Sequence, residues 1–336
     1  MVFNPMEMTM NAEPMNKAAQ AESALRIING VRNEVHQTML IDEMDLSATV
    51  GAILLQGAVL SEGHPGVGKT FLAKTISSVV GGSHARLQGT PDTTPQDITG
   101  GLVWDPETRE LVFKKGPAFN HVFHVDEINR TSPKAQAGLF EVMGEKQVSA
   151  NGVTYPTGNK LVVATMNPEE LAQGTYPLNT GARDRFTLGL RPQPFSAIDM
   201  VNANSRDYTP EQVATPEEFE VASKFVLSKS GIVVPDHLNL RAAELVVAIR
   251  DLDIVDPSES ALSGARAHRD TINMAKAFAF MDRGRTTVEL NDVMWGALYA
   301  LTHRTSLTVK AARKGDVTPY EVVLGKTQPH AYDRAA

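Results

Sequence analysis

Ala58-Val59-Leu60-Ser61-Glu62-Gly63-His64-Pro65-Gly66-Val67-Gly68-Lys69-Thr70-Phe71-Leu72-Ala73-Lys74 decides the fold of this 336-residue chain. Ala58-Val59-Leu60 reads as a buried strand, and Phe71-Leu72-Ala73-Lys74 opens a helix. Between them, Gly63 to Thr70 satisfies the pattern G-x-x-x-x-G-K-[ST]. The glycines let the backbone curl so that successive N–H groups point inward at a β-phosphate, and the helix N-terminus adds roughly half a positive charge. Lys69 is placed to reach the β- and γ-phosphates, and the Thr70 hydroxyl to hold Mg²⁺. The candidate nucleotide-binding residues are therefore Gly63, His64, Pro65, Gly66, Val67, Gly68, Lys69, Thr70 and Phe71.

Further along, His121-Val122-Phe123-His124-Val125-Asp126-Glu127 is an apolar strand ending in two carboxylates. In this arrangement the first acid, Asp126, supports Mg²⁺ beside Thr70, and the second, Glu127, polarises an attacking water. An acid pair after a strand is weak evidence alone, but its spacing from the phosphate loop lets both strands meet in one sheet. His121 and His124 face opposite sides of such a strand and cannot share an ion, so both read as core or edge residues. Leu161-Val162-Val163-Ala164-Thr165-Met166-Asn167 is another buried-strand run. Asn167 is placed to touch a γ-phosphate or the water, or equally to make a turn before Pro168.

From Gly57 to Arg191 short apolar strands alternate with helical stretches and glycine-rich turns, the pattern of an α/β domain with a mostly parallel sheet. Two hairpins interrupt it. Leu102–Asp105 and Glu110–Phe113 flank Pro106–Arg109, and Lys146–Ala150 and Val153–Tyr155 flank the tight-turn dipeptide Asn151-Gly152. After Pro192 and Pro194 the chain becomes all-helical. Thr215-Pro216-Glu217-Glu218 starts a helix that stops near Gly231, and others follow at about 236–250, 265–282 and 291–303. An amphipathic helix is expected from about Glu22 to Leu40. The domain reading is a tail over 1–25, a core over 26–193, a linker over 194–215, a helical lid over 216–315 and a second tail over 316–336.

Bulk properties narrow the function classes. The chain has no cysteine, which removes disulfides, thiolate zinc sites and cysteine nucleophiles. Its net charge of −7 argues against a large nucleic-acid footprint. The longest apolar run, Ala48–Leu60, is broken by Gln56 and falls short of the roughly 20 residues a bilayer-spanning helix needs. No secretory signal is visible in residues 1–20, so the expected location is cytoplasmic.

A set of ordered motifs goes further. Arg86-Leu87-Gln88-Gly89-Thr90-Pro91-Asp92 comes first, then Asp97-Ile98-Thr99-Gly100, Gly116-Pro117 and Asp126-Glu127-Ile128-Asn129-Arg130. Gln147-Val148, Ala164–Pro168, Gly174–Leu178 and Asp184-Arg185-Phe186 follow. Through these, residues 57–305 resemble the MoxR family of AAA+ ATPases. The resemblance implies an α/β P-loop AAA+ parallel-sheet core with β-hairpin insertions, followed by a small all-helical lid. It implies ATP hydrolysis with Mg²⁺ in a homo-oligomeric ring, commonly a hexamer. It also implies a protein client to be remodelled, activated or matured, with a partner bearing a von Willebrand factor A domain. Asn167 would be sensor 1, Arg185 the arginine finger that reaches a neighbouring subunit's nucleotide, and Arg266 sensor 2 on the lid. The segment before the finger departs from the family, so Arg183 competes with Arg185. The serine-proline before sensor 2 is missing, so Arg269 stands beside Arg266. A nucleic-acid motor of the same clade and an ATP-binding scaffold with little hydrolysis are the rival readings.

Overall fold

The computed structural model describes residues 17–64, 66–167, 175–204, 206–314 and 317–330. Pro65, Pro168, Gly174 and residues 1–16 of the tail expected over 1–25 lie outside them. The chain opens with α1 (Lys17–Thr38), which starts five residues ahead of Glu22 and inside the stretch read as a tail, and α2 (Glu43–Leu54). β1 (Ala58–Glu62) runs into α3 (Lys69–Val80), and β2 (His84–Gln88) follows. A short α4 (Pro95–Thr99), capped by Thr94, leads to the hairpin β3 (Gly100–Asp105) and β4 (Glu110–Lys115). β5 (Val122–Asp126) and α5 (Pro133–Glu145) precede the second hairpin, β6 (Gln147–Ala150) and β7 (Val153–Pro156). Asn151 and Gly152 both take positive φ there, as a two-residue hairpin turn demands. β8 (Leu161–Met166), a one-turn α6 (Thr180–Arg183) and β9 (Leu188–Leu190) complete the α/β core.

The five-stranded sheet has the order β2-β5-β8-β1-β9 and is parallel throughout. β5 and β8 are buried along their whole length, which is why they read as continuous apolar runs. β2, at an edge, alternates exposed and half-buried positions instead. Register aligns Gln88 with Asp126 and Glu62 with Met166, so the carboxyl ends of four strands meet along one edge. Parallel α/β sheets bind ligands at that edge.

The segment read as a linker contains a helix, α7 (Ala197–Asn204). The lid follows as α8 (Pro216–Leu227), α9 (Asp236–Arg250), α10 (Ala265–Met281) and α11 (Leu290–Leu301), with short α12 (Val309–Lys314) and α13 (Pro319–Thr327). α8 ends at Leu227 rather than near Gly231 because Ser228 takes an extended conformation and caps the turn. α13 lies in the stretch read as a C-terminal tail, where its Val322 and Val323 are buried. Two apolar clusters flank the sheet. One joins Phe123, Leu139, Val142 and Phe186. The other runs from α1 and α2 into the lid, joining Ile27, Val50, Ile53, Met274, Phe278 and Phe280. The lid is thus packed onto the core through a shared interior.

Candidate functional site: a phosphate loop, two strand-end acids and an arginine ledge

The loop after β1 turns sharply into α3. Gly68 caps that helix at φ 86°, where a side chain would be strained, and Gly66 adopts the same φ with open space around its missing Cβ. Lys69 folds its ammonium back onto the carbonyls of Gly63 and His64, the latter at 3.0 Å. Val67 is buried, whereas His64, Gly66, Thr70 and Phe71 are exposed.

The acid pair faces this loop. The Thr70 hydroxyl donates to Asp126 Oδ2 at 3.2 Å, which joins the two expected metal-holding residues directly. Thr165, one strand over on β8, donates to the other Asp126 oxygen and accepts the Glu127 N–H at 3.1 Å. Arg86 on β2 donates two bonds to Asp126 Oδ2, at 3.2 and 2.6 Å. Burial pushes the Asp126 carboxyl up, but the hydrogen bonds from Thr165 and Arg86 outweigh it and hold it below the usual carboxylate range. Asp126 therefore stays ionised at neutral pH.

Glu127 sits at φ 54° and ψ 52°, a left-handed conformation that non-glycine residues rarely take. Its carboxylate accepts from Gln88 Nε2 at 2.7 Å and pairs with Arg130 at 3.0 Å. Gly89 makes room for this turn, since a Cβ there would run into the Glu127 carbonyl oxygen. Asn167 is buried just past the end of β8, and its carbonyl lies 3.5 Å from the Asn129 amide nitrogen. Thus Lys69, Thr70, Asp126, Glu127 and Asn167 come together on one sheet edge.

His124 and His121 part company, as the strand period requires. His124 is 1% exposed, and burial depresses its imidazole to about 4, so it is neutral. His121 instead accepts the Ser83 N–H at 3.0 Å.

Beside the loop lies a cavity of about 550 Å³, within the ~300–1,000 Å³ range of small-molecule sites. Gly68, Lys69 and Leu72 line one part of it, and Asp45, Trp295 and Tyr299 another. The Tyr299 hydroxyl on α11 donates to Asp45 on α2 at 2.8 Å, which ties lid to core across the cavity wall. Burial raises the Asp45 carboxyl to about 6 despite that bond.

The arginines assemble elsewhere. Arg183 donates to Ser306 Oγ at 2.6 Å. Arg185 lies 4.8 Å above the Phe140 ring and donates to the Gly181 carbonyl at 2.7 Å. Arg266, at the start of α10, donates to Asp184 at 2.8 Å, which ties it to the segment that carries Arg185. Arg269 pairs with its neighbour Asp270 at 3.0 Å. Neither Arg266 nor Arg269 lines the cavity beside Lys69. The residues that sequence reasoning left without roles are Thr165, Arg86 and Gln88 at the acid pair and Arg304 at the ledge. Arg86 and Gln88 belong to a motif already singled out, but their contacts follow from sheet order, which no local pattern encodes.

The loop's positive-φ glycines with Lys69 suit a triphosphate, and the hard oxygen donors of Thr70 and Asp126 suit Mg²⁺. Comparison with known proteins agrees. Residues 58–188 match the ATPase family associated with various cellular activities (AAA). The chain is similar to Chaperone MoxR1 of Mycobacterium tuberculosis, at 32% identity over 92% of this chain and 82% of that protein. It is similar to the uncharacterized protein YeaC of Bacillus subtilis, at 31% identity over 82% of this chain and 86% of that one. A crystal structure from Cytophaga hutchinsonii, provisionally described as an ATPase, superposes with a TM-score of 0.78 at 26% identity, covering 93% of this chain and 96% of that one. With its parallel sheet, hairpin insertions and helical lid, the chain belongs to the MoxR family of AAA+ ATPases.

Proposed function

We propose that the protein hydrolyses ATP at a seam between two copies of itself and uses the cycle to remodel or mature a protein client. The observation that carries this is the Thr70–Asp126 hydrogen bond at 3.2 Å, with Lys69 at the head of α3 and Glu127 just past the end of β5. Thr70 and Asp126 are the residues that would hold Mg²⁺, which when bound offsets negative charge on the phosphate oxygens. Gly63 to Thr70 cradle the phosphates, and Phe71 and Leu72 continue the helix behind them. Lys69 leaves the loop carbonyls for the β- and γ-phosphates. Glu127 orients the attacking water and takes its proton, and Asn167 holds the water or the γ-phosphate from the other side.

Arg185 acts in trans as the finger, and Arg183, tied to Ser306, has the more structural role. Arg266 shares the finger segment through Asp184 and serves as the sensor arginine from that position. Assembly as a ring, commonly of six, makes turnover depend on a neighbour. The β3–β4 hairpin, with Trp104 57% and Leu111 61% exposed, fits a surface that meets client or partner, including one with a von Willebrand factor A domain. Among the described residues no helix is long and apolar enough to cross a membrane, and we place the protein in the cytoplasm.

The test compares wild type with Glu127→Gln. Turnover is expected to fall by about 10²–10⁴-fold while ATP still binds. Undiminished turnover would remove Glu127 from the mechanism and with it this reading.

A further inference from the structure

The arginine ledge is joined to the lid by a buried cation that hydrolysis as described does not use. Arg304 ends the short turn that follows α11 and is 0% exposed. Its guanidinium donates to Asp270 Oδ2 on α10 at 2.6 Å and to the Ala300 carbonyl at 2.6 Å. It also donates to the carbonyls of Asp184 at 3.0 Å and Phe186 at 2.8 Å. Those two residues are the immediate neighbours of Arg185, so one side chain grips the backbone on both sides of the finger. The Asp184 carboxylate lies 3.6 Å from Arg304 on one side and accepts from Arg266 at 2.8 Å on the other. His303 Nε2 donates to the Phe186 carbonyl at 3.0 Å, since a carbonyl oxygen only accepts, and burial keeps that imidazole neutral.

A buried ion pair is a costly way to hold two helices together, because apolar residues of similar volume do so at least as well. What the planar guanidinium adds is several donors in a fixed fork, able to serve two carbonyls and a carboxylate at once. A lysine in its place would carry the charge but not the geometry.

We propose that Arg304 is a positioning residue for the reaction. It clamps the backbone around Arg185 to the lid of the same subunit, so the lid of one subunit sets where its finger stands in the site of the next. This rests on the reading of Arg185 as a finger. It makes a directional claim: damage to Arg304 is felt far more in the neighbour's site than in the subunit's own.

Mixed rings test that direction. Subunits carrying Arg185→Ala keep an intact loop and Glu127 but offer no finger. Subunits carrying Glu127→Gln offer a finger but do not hydrolyse. In an equimolar mixture whose native mass shows co-assembly, turnover arises where the first kind receives a finger from the second. Arg304→Lys is then placed in either the donor or the acceptor. Because a finger is worth about 10³–10⁵ in rate, the donor placement is expected to lose at least about ten-fold of the mixture's turnover, and the acceptor placement less than about two-fold. Equal losses in both placements, or none in either, would overturn the proposal. If Arg304→Lys does not fold, Asp270→Asn loosens the same clamp and goes through the same two placements with the same criterion. Should Arg185→Ala alone turn over at the wild-type rate, the finger reading falls, and the clamp falls with it.

Discussion

The strand-end acids and the arginine ledge both gather charged side chains, yet they are built in opposite ways. Lys69, Thr70, Asp126 and Glu127 come from two compact motifs, each carried by a strand and the turn that follows it. Their partners, Thr165, Arg86 and Gln88, lie one strand away and are fixed by sheet register. The ledge draws Asp184 and Arg185 from the loop before β9, Arg266 and Asp270 from α10 and Arg304 from the turn after α11. Its core is a charge network sealed from water, whereas the acid edge stays partly open. The residues proposed to act on a subunit's own phosphates thus sit at or beside rigid strand ends. The residues proposed to act on a neighbour's phosphates hang from the part of the chain that packs with the lid.

The largest effect expected is on the ledge. Arg185→Ala should cut turnover by about 10³–10⁵-fold, with ATP affinity of the isolated subunit little changed. Arg183→Ala should cost far less, since that guanidinium is spent on Ser306. Steady-state turnover of both variants decides between the two arginines, and a reversed order would make Arg183 the finger. Next comes the interior beneath it. Phe186 is fully buried, so Phe186→Ala should destabilise the fold by about 3–5 kcal/mol in urea denaturation. A cost under about 1 kcal/mol would show the ledge to be loosely packed.

The cavity wall gives a pH-dependent contrast. The Asp45 carboxyl is raised from 3.8 to about 6 in the folded state, so between those values the native protein holds a proton that the unfolded chain has released. Stability from this group is therefore fully present below about pH 4 and is lost as pH rises to about 6. Asp45→Asn can keep the Tyr299 bond without the charge. It should be more stable than wild type at pH 7.5, by at most about 3 kcal/mol, with the gap closing toward pH 4. A gap independent of pH would contradict the burial of that carboxylate. The smallest effect belongs to the acid edge. Thr165→Val removes a donor to Asp126 and an acceptor for Glu127 N–H, at a cost of about 1–3 kcal/mol in stability. Mg²⁺-dependent ATP binding should weaken with it, and unchanged Mg²⁺ dependence would show that Thr165 does not hold Asp126 in place.

Much of the fold was legible because its signals are local. Thr215-Pro216-Glu217-Glu218 announces α8 through a capping box, and Asn151-Gly152 announces the second hairpin. α9 runs over Asp236–Arg250 as its apolar spacing indicates. α13 falls in the stretch read as a tail, although Thr318-Pro319-Tyr320-Glu321 carries the same capping grammar as α8. Its shortness hid it, with little apolar periodicity to read. α7 offers even less signal, for Ile198, Met200 and Val201 are all exposed, and no buried stripe marks a helix. At the site, the loop and acid pair stand in sequence order with the strands that carry them. Arg304 does not: it reads as one more cation after a helix, and only the meeting of α10, α11 and the loop before β9 gives it a role.

In the proposed mechanism a triphosphate is held by one subunit and triggered by the next. The most direct test measures ATP turnover per subunit across a wide dilution series, with native mass recorded at each concentration. Turnover per subunit is expected to fall as the assembly dissociates and to return when it re-forms. A monomer that hydrolyses ATP at the full rate would contradict it.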